Sequence, residues 1–165
     1  MPASNIWTVF SGQLLDGNKM NTPARFNGPL PLAEAMSKLI LTPLEDGRFH
    51  REGPRSFVEY RDLGMADATG GRISGKHIRA IQPFSEETGW HWHDMTAHFV
   101  YVLKGWVKFR FDGVDEAVTV FAGACLSQPG GVAHNVVGQS NDLELIEINM
   151  PADYSTTECR VGREA

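Results

Sequence analysis

The sequence predicts an all-β protein, a sandwich or barrel of short strands preceded by an irregular arm. Three observations point there. From position 56 onward, short segments rich in Val, Ile, Phe and Tyr recur at roughly 8–12-residue spacing, divided by Gly, Asp, Asn or Pro. No alternation with helical segments of the kind that βαβ units need runs between them. A chain of 165 residues, 42% hydrophobic and 21% charged, suits a single globular domain with a sizeable core.

Residues 1–55 read as an arm. Gly and Pro punctuate them, from Gly12 and Gly17 to Gly53 and Pro54, and these residues interrupt regular structure. One segment is periodic. After Pro31, the apolar Leu32, Ala35, Met36, Leu39 and Ile40 recur at helical spacing, and Pro43 stands just beyond. A short helix is expected here, laying an apolar stripe on the barrel or on a partner subunit.

Residues 56–165 form the barrel domain. Strands are expected at 57–62, 75–82, 90–93, 98–103, 107–112, 117–121, 124–127, 133–137 and 143–149, with hairpin turns at Gly105 and Gly113. The strand His98-Phe99-Val100-Tyr101-Val102-Leu103 is apolar on both faces, so both need cover. Its outward face requires the arm or a second subunit, and a homodimer is expected for that reason. In the next strand Lys108, Arg110 and Asp112 alternate with Val107, Phe109 and Phe111, which leaves one wet face.

Composition excludes several classes of function. Fifteen Lys+Arg against twenty Asp+Glu give a net charge of −5, which argues against nucleic acid as a partner. No run approaches the ~20 apolar residues of a membrane span. The stretch MPASNIWTVF has neither a basic region nor an apolar core, so no signal peptide is expected. With only Cys125 and Cys159, a disulfide framework is not expected and a reducing, cytoplasmic setting is.

Histidine is the unusual residue. Four of the six, His91, His93, His98 and His134, fall between positions 91 and 134. His91 and His93 share one face of a strand, because side chains two apart point the same way. Such a pair, with one or two His from neighbouring strands, can close around a single metal ion, and imidazole suits Zn, Cu, Fe and Ni.

At these residues the chain resembles the cupin superfamily. His91, His93, four residues, His98, six residues and Gly105 keep the spacing of the first cupin motif, with His where Glu is usual and Ser85 where its first Gly is expected. Gly123, Pro129, Gly131 and His134 match the second, with Gly138 in place of the usual Asn. The resemblance covers about 75–151. It implies a double-stranded β-helix, a jelly-roll barrel, holding one divalent transition metal per chain (Fe, Mn, Zn or Ni). The implied ligands are His91, His93, His98 and His134. Two other arrangements stay open: His98 turned away from a three-His site, or imidazoles that serve as metal-free polar filler. The latter conflicts with the need of buried polar groups for partners.

Four neutral ligands leave the ion its full formal charge, which favours a substrate presenting an oxygen anion. The expected function is therefore a metal-dependent enzyme acting on a small, oxygen-rich organic molecule. Dioxygenase-type oxidation is placed ahead of non-redox cyclisation or isomerisation, and a non-catalytic binding protein is the alternative. Gln128 is the candidate polar contact to substrate, and Val100, Val102 and Phe109 are candidate pocket walls. Trp90 and Trp92 alternate away from the metal and are expected to pack between layers. His77 reads as a surface or core residue, His50 as exposed, and Cys125 as a small buried hydrophobe rather than a nucleophile.

Overall fold

The computed structural model describes residues 37–53 and 55–161, together with 29, 31, 33 and 35. Among them the expected β texture becomes β1 (Val58–Asp62), β2 (Ser74–Ala80), β3 (His91–His93), β4 (Ala97–Lys104), β5 (Trp106–Phe111), β6 (Val118–Phe121), β7 (Cys125–Gln128), β8 (His134–Gln139), β9 (Glu144–Met150) and β10 (Thr156–Glu158). A single short helix, α1 (Met65–Thr69), follows β1. The strands form two five-stranded sheets, ordered β1-β2-β9-β4-β7 and β10-β3-β8-β5-β6. Neighbours are antiparallel, and strands distant in sequence pair with each other, as β2 and β4 do with β9. That is the jelly-roll arrangement, in which two sheets share one core.

Alternation along the strands decides what enters that core. On β4, His98, Val100 and Val102 are buried, while Phe99, Tyr101 and Leu103 between them are exposed. Across the sheet Val102 pairs with Leu145 and Ile78 with Leu145, so these side chains share the inward face. They join Phe57, Val107, Phe109, Val120, Val136 and Leu143 in one apolar cluster. Gly105 makes the tight β4–β5 turn: its φ of 70° favours glycine, and a side chain there would meet Ser140 and Asp142.

The arm departs from expectation where it can be followed. Of the helix expected after Pro31, residues 32, 34 and 36 lie outside the described residues, and no α-helix is found at 35 or 37–40. Its last turn, Leu39 and Ile40, is irregular chain, and Leu39 is 81% exposed. This segment runs along α1 instead, with Lys38 N–H donating to Ala68 C=O at 2.8 Å. The following residues also bind β1: Arg61 donates to Pro43 C=O at 3.2 Å, and His50 forms a bridge with Tyr60. Helix α1 has five residues, none of them buried, and glycines with left-handed φ at both ends, so no apolar period announces it.

Cys125 also differs from its expected burial. It lies on the outward face of β7 opposite Tyr101 and is exposed, because the strand's inward positions are taken by Leu126 and Gln128. The exposed row Phe99, Tyr101 and Leu103 is the outward face that the sequence left in need of cover.

The core makes a simple demand on stability. Leu145→Ala, at a side chain 2% exposed, is expected to lower unfolding free energy by roughly 2–5 kcal/mol in urea titration. Leu41→Ala, at 85% exposure, should stay within about 0.5 kcal/mol. Equal effects of the two substitutions would contradict this placement of the core.

Candidate metal centre

Two neighbouring strands bring three imidazoles together. β3 pairs with β8 at a single position, His91 opposite His134, and His93 lies two residues further along the same face. The turn before β8 is clamped onto the end of β3. Gly131 N–H donates to His93 C=O at 3.0 Å. At Gly130 an added Cβ would fall 1.6 Å from the Met95 carbonyl oxygen, so only glycine permits this approach of two backbones. The Gly- and Pro-rich turn thereby fixes His134 against His91 and His93.

Ligand atoms of His91, His93 and His134 all lie within 4.8 Å of one another. Their outer nitrogens are occupied. Nδ1 of His91 donates to Gly89 C=O at 2.8 Å and Nδ1 of His134 to Val132 C=O at 3.0 Å. A carbonyl only accepts, so the proton must sit on Nδ1 and leave Nε2 with a free lone pair. Nδ1 of His93 is paired with Thr156 Oγ1 on β10 at 2.9 Å. Burial pushes all three imidazoles toward the neutral form, His93 to about 3 and His134 to about 4. For His93 the neighbouring imidazoles add to that push. Three neutral, oriented, convergent nitrogen donors fit a divalent transition metal, and outer hydrogen bonds of this kind are what orient such ligands.

His98 stands beside this group and turns to other partners. Its ring centre is 5.5 Å from that of His93 and 6.0 Å from that of His134. Its Nε2 lies 3.8 Å from Glu147 Oε2 and 3.5 Å from Gln128 Nε2. Glu147 is largely buried on β9, directly across from Val100 and Lys76. Burial would raise its carboxyl, but the His98 contact, the charge of Arg55 and a hydrogen bond from Asn149 outweigh that and hold it well below the usual carboxylate range.

Asn149 ties this pair to an aromatic wall. Its Nδ2 donates to Glu147 Oε1 at 3.0 Å and to Tyr154 Oη at 3.3 Å. Burial and Glu147 push the Tyr154 hydroxyl up to about 12, so it remains a proton donor. The Tyr154 ring lies 5.4 Å from the His93 ring and borders a cavity of about 390 Å³ between 94–96 and 151–155.

Of the candidate substrate contacts, Gln128 is buried beside His98, while Val100, Val102 and Phe109 belong to the apolar cluster. Glu147, Asn149, Tyr154, Arg55 and Lys76 carry no local motif, and only pairing across β2 and β9 brings several of them to the imidazoles. One signal was available: in β9 the polar Glu147 and Asn149 occupy the alternation expected to face inward. His77 is on the outward face, 3.3 Å from Glu144, and takes no part.

Comparison with known proteins agrees with this geometry. Residues 78–149 match the family model described as a cupin domain. No curated protein matches the chain by sequence. Among solved structures, the polyketide cyclase RemF from Streptomyces resistomycificus aligns with a TM-score of 0.60 and 18% identity, over 76% of this chain and 89% of that one. KdgF from a Halomonas species aligns at 0.56 and 14%, over 69% and 94%. The nucleoside dehydratase Pac13 aligns at 0.51 and 14%, over 74% and 92%. At these identities the likeness is one of fold.

The suppressed basicity of the imidazoles has a measurable sign. Below the ordinary value of 6.5 the unfolded chain takes up protons that folded His93 and His134 refuse until about 3 and about 4. Stability of the chelator-treated protein is therefore whole above pH 6.5 and should fall as pH drops toward 4. Urea midpoints at pH 7 and pH 5 should differ less in His134→Gln than in the parent chain; identical differences would refute the assignment.

Proposed function

Because the chain belongs to the cupin superfamily, we propose that it is a metal-dependent enzyme promoting proton transfer on a small, oxygen-rich organic substrate. The observation that carries this reading is the pairing of His98 with Glu147 beside the three convergent imidazoles. His91, His93 and His134 would hold the metal through Nε2. A bound divalent ion supplies Lewis acidity, which polarises a carbonyl or enol oxygen and eases loss of a neighbouring proton.

The chain's own groups supply the rest. His98 Nε2 can accept or release a proton, and the ionised Glu147 orients the ring and balances its charge. Tyr154 keeps its proton and can donate a hydrogen bond to a developing oxyanion. Val100 and Val102 exclude water behind the pair. Such an acid–base set serves elimination, isomerisation or ring closure. The names cyclase and dehydratase borne by RemF and Pac13 fit this chemistry at the level of fold analogy.

Dioxygenase-type oxidation is the second reading, and three protein ligands with open positions favour it if the metal is iron. Metal analysis separates the two. The chain purified without chelator should carry about one equivalent of a divalent ion, lost in His93→Ala and kept in His98→Gln. Loss of metal in His98→Gln would instead support the four-imidazole set. On a substrate found by screening enolisable hydroxy and keto compounds, Glu147→Gln should lower kcat about 100-fold with metal retained. Oxygen uptake that tracks turnover would move the assignment to the oxidative reading.

The expected homodimer is also a proposal, supported by the exposed row Phe99, Tyr101 and Leu103. Analytical ultracentrifugation should find a dimer that Tyr101→Asp dissociates. A monomeric parent chain would end it.

A further inference from the structure

Three buried polar side chains on the inward face of the first sheet each carry an oxygen without a partner. Ser74 pairs in register with Asn149, Asn149 with His98, and His98 with Gln128, so the four form one row across β2, β9, β4 and β7. Their exposures are 9% for Ser74, 0% for Asn149, 6% for His98 and 2% for Gln128. Ser74 Oγ, Asn149 Oδ1 and Gln128 Oε1 have no hydrogen-bond partner among the described residues. The orientation of Asn149 is fixed, because its Nδ2 serves both Glu147 and Tyr154 and leaves Oδ1 as the orphan acceptor. A buried oxygen without a hydrogen bond is costly, so two amide carbonyls and a hydroxyl in one row call for a hydrogen-bond donor from outside the chain.

One register step along the same face stands a cation. Lys76 lies between Asp62 on β1 and Glu147 on β9, and neither carboxylate comes within ion-pair distance of it among the described residues. Its Nζ sits 6.0 Å from the centre of the Tyr154 ring. Tyr154 in turn accepts a hydrogen bond from Asn149 of the row and walls the cavity of about 390 Å³, so it stands between the two. Acceptors therefore occupy one level, and an ammonium and a phenol donor the next.

We propose that Ser74, Asn149 and Gln128, with Lys76 beside them, form a recognition subsite for a polyhydroxylated carboxylic acid. Its hydroxyl groups donate to the orphan oxygens of the row, and its carboxylate faces Lys76 and the Tyr154 hydroxyl. An unsubstituted fatty acid leaves the row unsatisfied, and a neutral polyol leaves Lys76 without a counter-ion. The inference deepens the proposed function, resting on the barrel interior as the substrate site, and names the class of substrate.

The test is calorimetric binding to the full chain with three probes: D-gluconate, which has hydroxyls and a carboxylate; hexanoate, which has only the carboxylate; and sorbitol, which has only hydroxyls. Gluconate should bind at least about tenfold tighter than either of the others, since a site built to hydrogen-bond hydroxyls rejects analogues lacking them. Gln128→Met and Ser74→Ala should each narrow the preference over hexanoate, and Lys76→Met the preference over sorbitol. Asn149→Leu is read only if its circular dichroism matches the parent chain, the other variants carrying the test otherwise. Titrations in chelator and in zinc give separate answers, so a chain that never holds a metal can still show the preference. No gluconate binding, equal affinity for gluconate and hexanoate, or a preference unchanged in Gln128→Met and Ser74→Ala would overturn the subsite.

Discussion

Everything in the barrel depends on keeping three adjacent imidazoles neutral and pointed inward. Clustered imidazoles repel once protonated, and a protonated ring has no lone pair left for a metal. Burial keeps the rings neutral, and carbonyl groups on the outer side fix which nitrogen of His91 and His134 carries the proton. Gly89 C=O and Val132 C=O each take an Nδ1 proton, so the tautomer and the ring plane are set by the backbone two residues upstream. His93 has its outer nitrogen on Thr156 instead, which gives the three-residue β10 a reason to pair with β3. The turn at Gly130 and Gly131 belongs to the same device, since it sets how closely β8 approaches β3.

The sheets impose a gradient around that cluster. Successive inward positions on β9 run from Leu145 through Glu147 to Asn149, and those on β4 run from Val102 through Val100 to His98. Apolar rows fill one end of the barrel, and polar rows collect at the other with the imidazoles. The cluster is satisfied from within only in part: Asn149 serves Glu147 and Tyr154, and Glu147 faces His98, while the oxygens of Ser74, Asn149 and Gln128 find no partner among the described residues. The stiff apolar end holds the polar end in register, and the same strands therefore supply both stability and chemistry.

The barrel was legible in the sequence because its strands alternate and its turns carry glycine. The His91–His93 pair was legible because a period of two is local, and His134 because its turn has a distinctive Pro and Gly spacing. What escaped is what the sheet assembles at long range. Lys76, Glu147 and His98 are far apart in sequence and become neighbours only through the pairing of β2 and β4 with β9. β10 escaped because Thr156, Thr157 and Glu158 are all exposed and show no apolar alternation. The arm misled for the opposite reason: Leu39 and Ile40 have helical spacing, but their segment follows α1, and Lys38 spends its backbone donor on Ala68.

Charge then limits what the interior can receive. Glu147 is engaged with His98 and Asn149, while Lys76, opposite it on β2, has no ion-pair partner among the described residues. A divalent ion on three neutral imidazoles would add positive charge in a partly dehydrated space, where charge is felt more strongly than in water. A carboxylate of an incoming molecule, facing that ion or Lys76, would be held more strongly than a neutral group of the same size. The orphan oxygens of Asn149 and Gln128 constrain the rest of that molecule, because they accept hydrogen bonds and cannot donate them. In the proposed site the cations would select the anion and the row its hydroxyl groups, so specificity and the acid–base pair would arise from the same inward face.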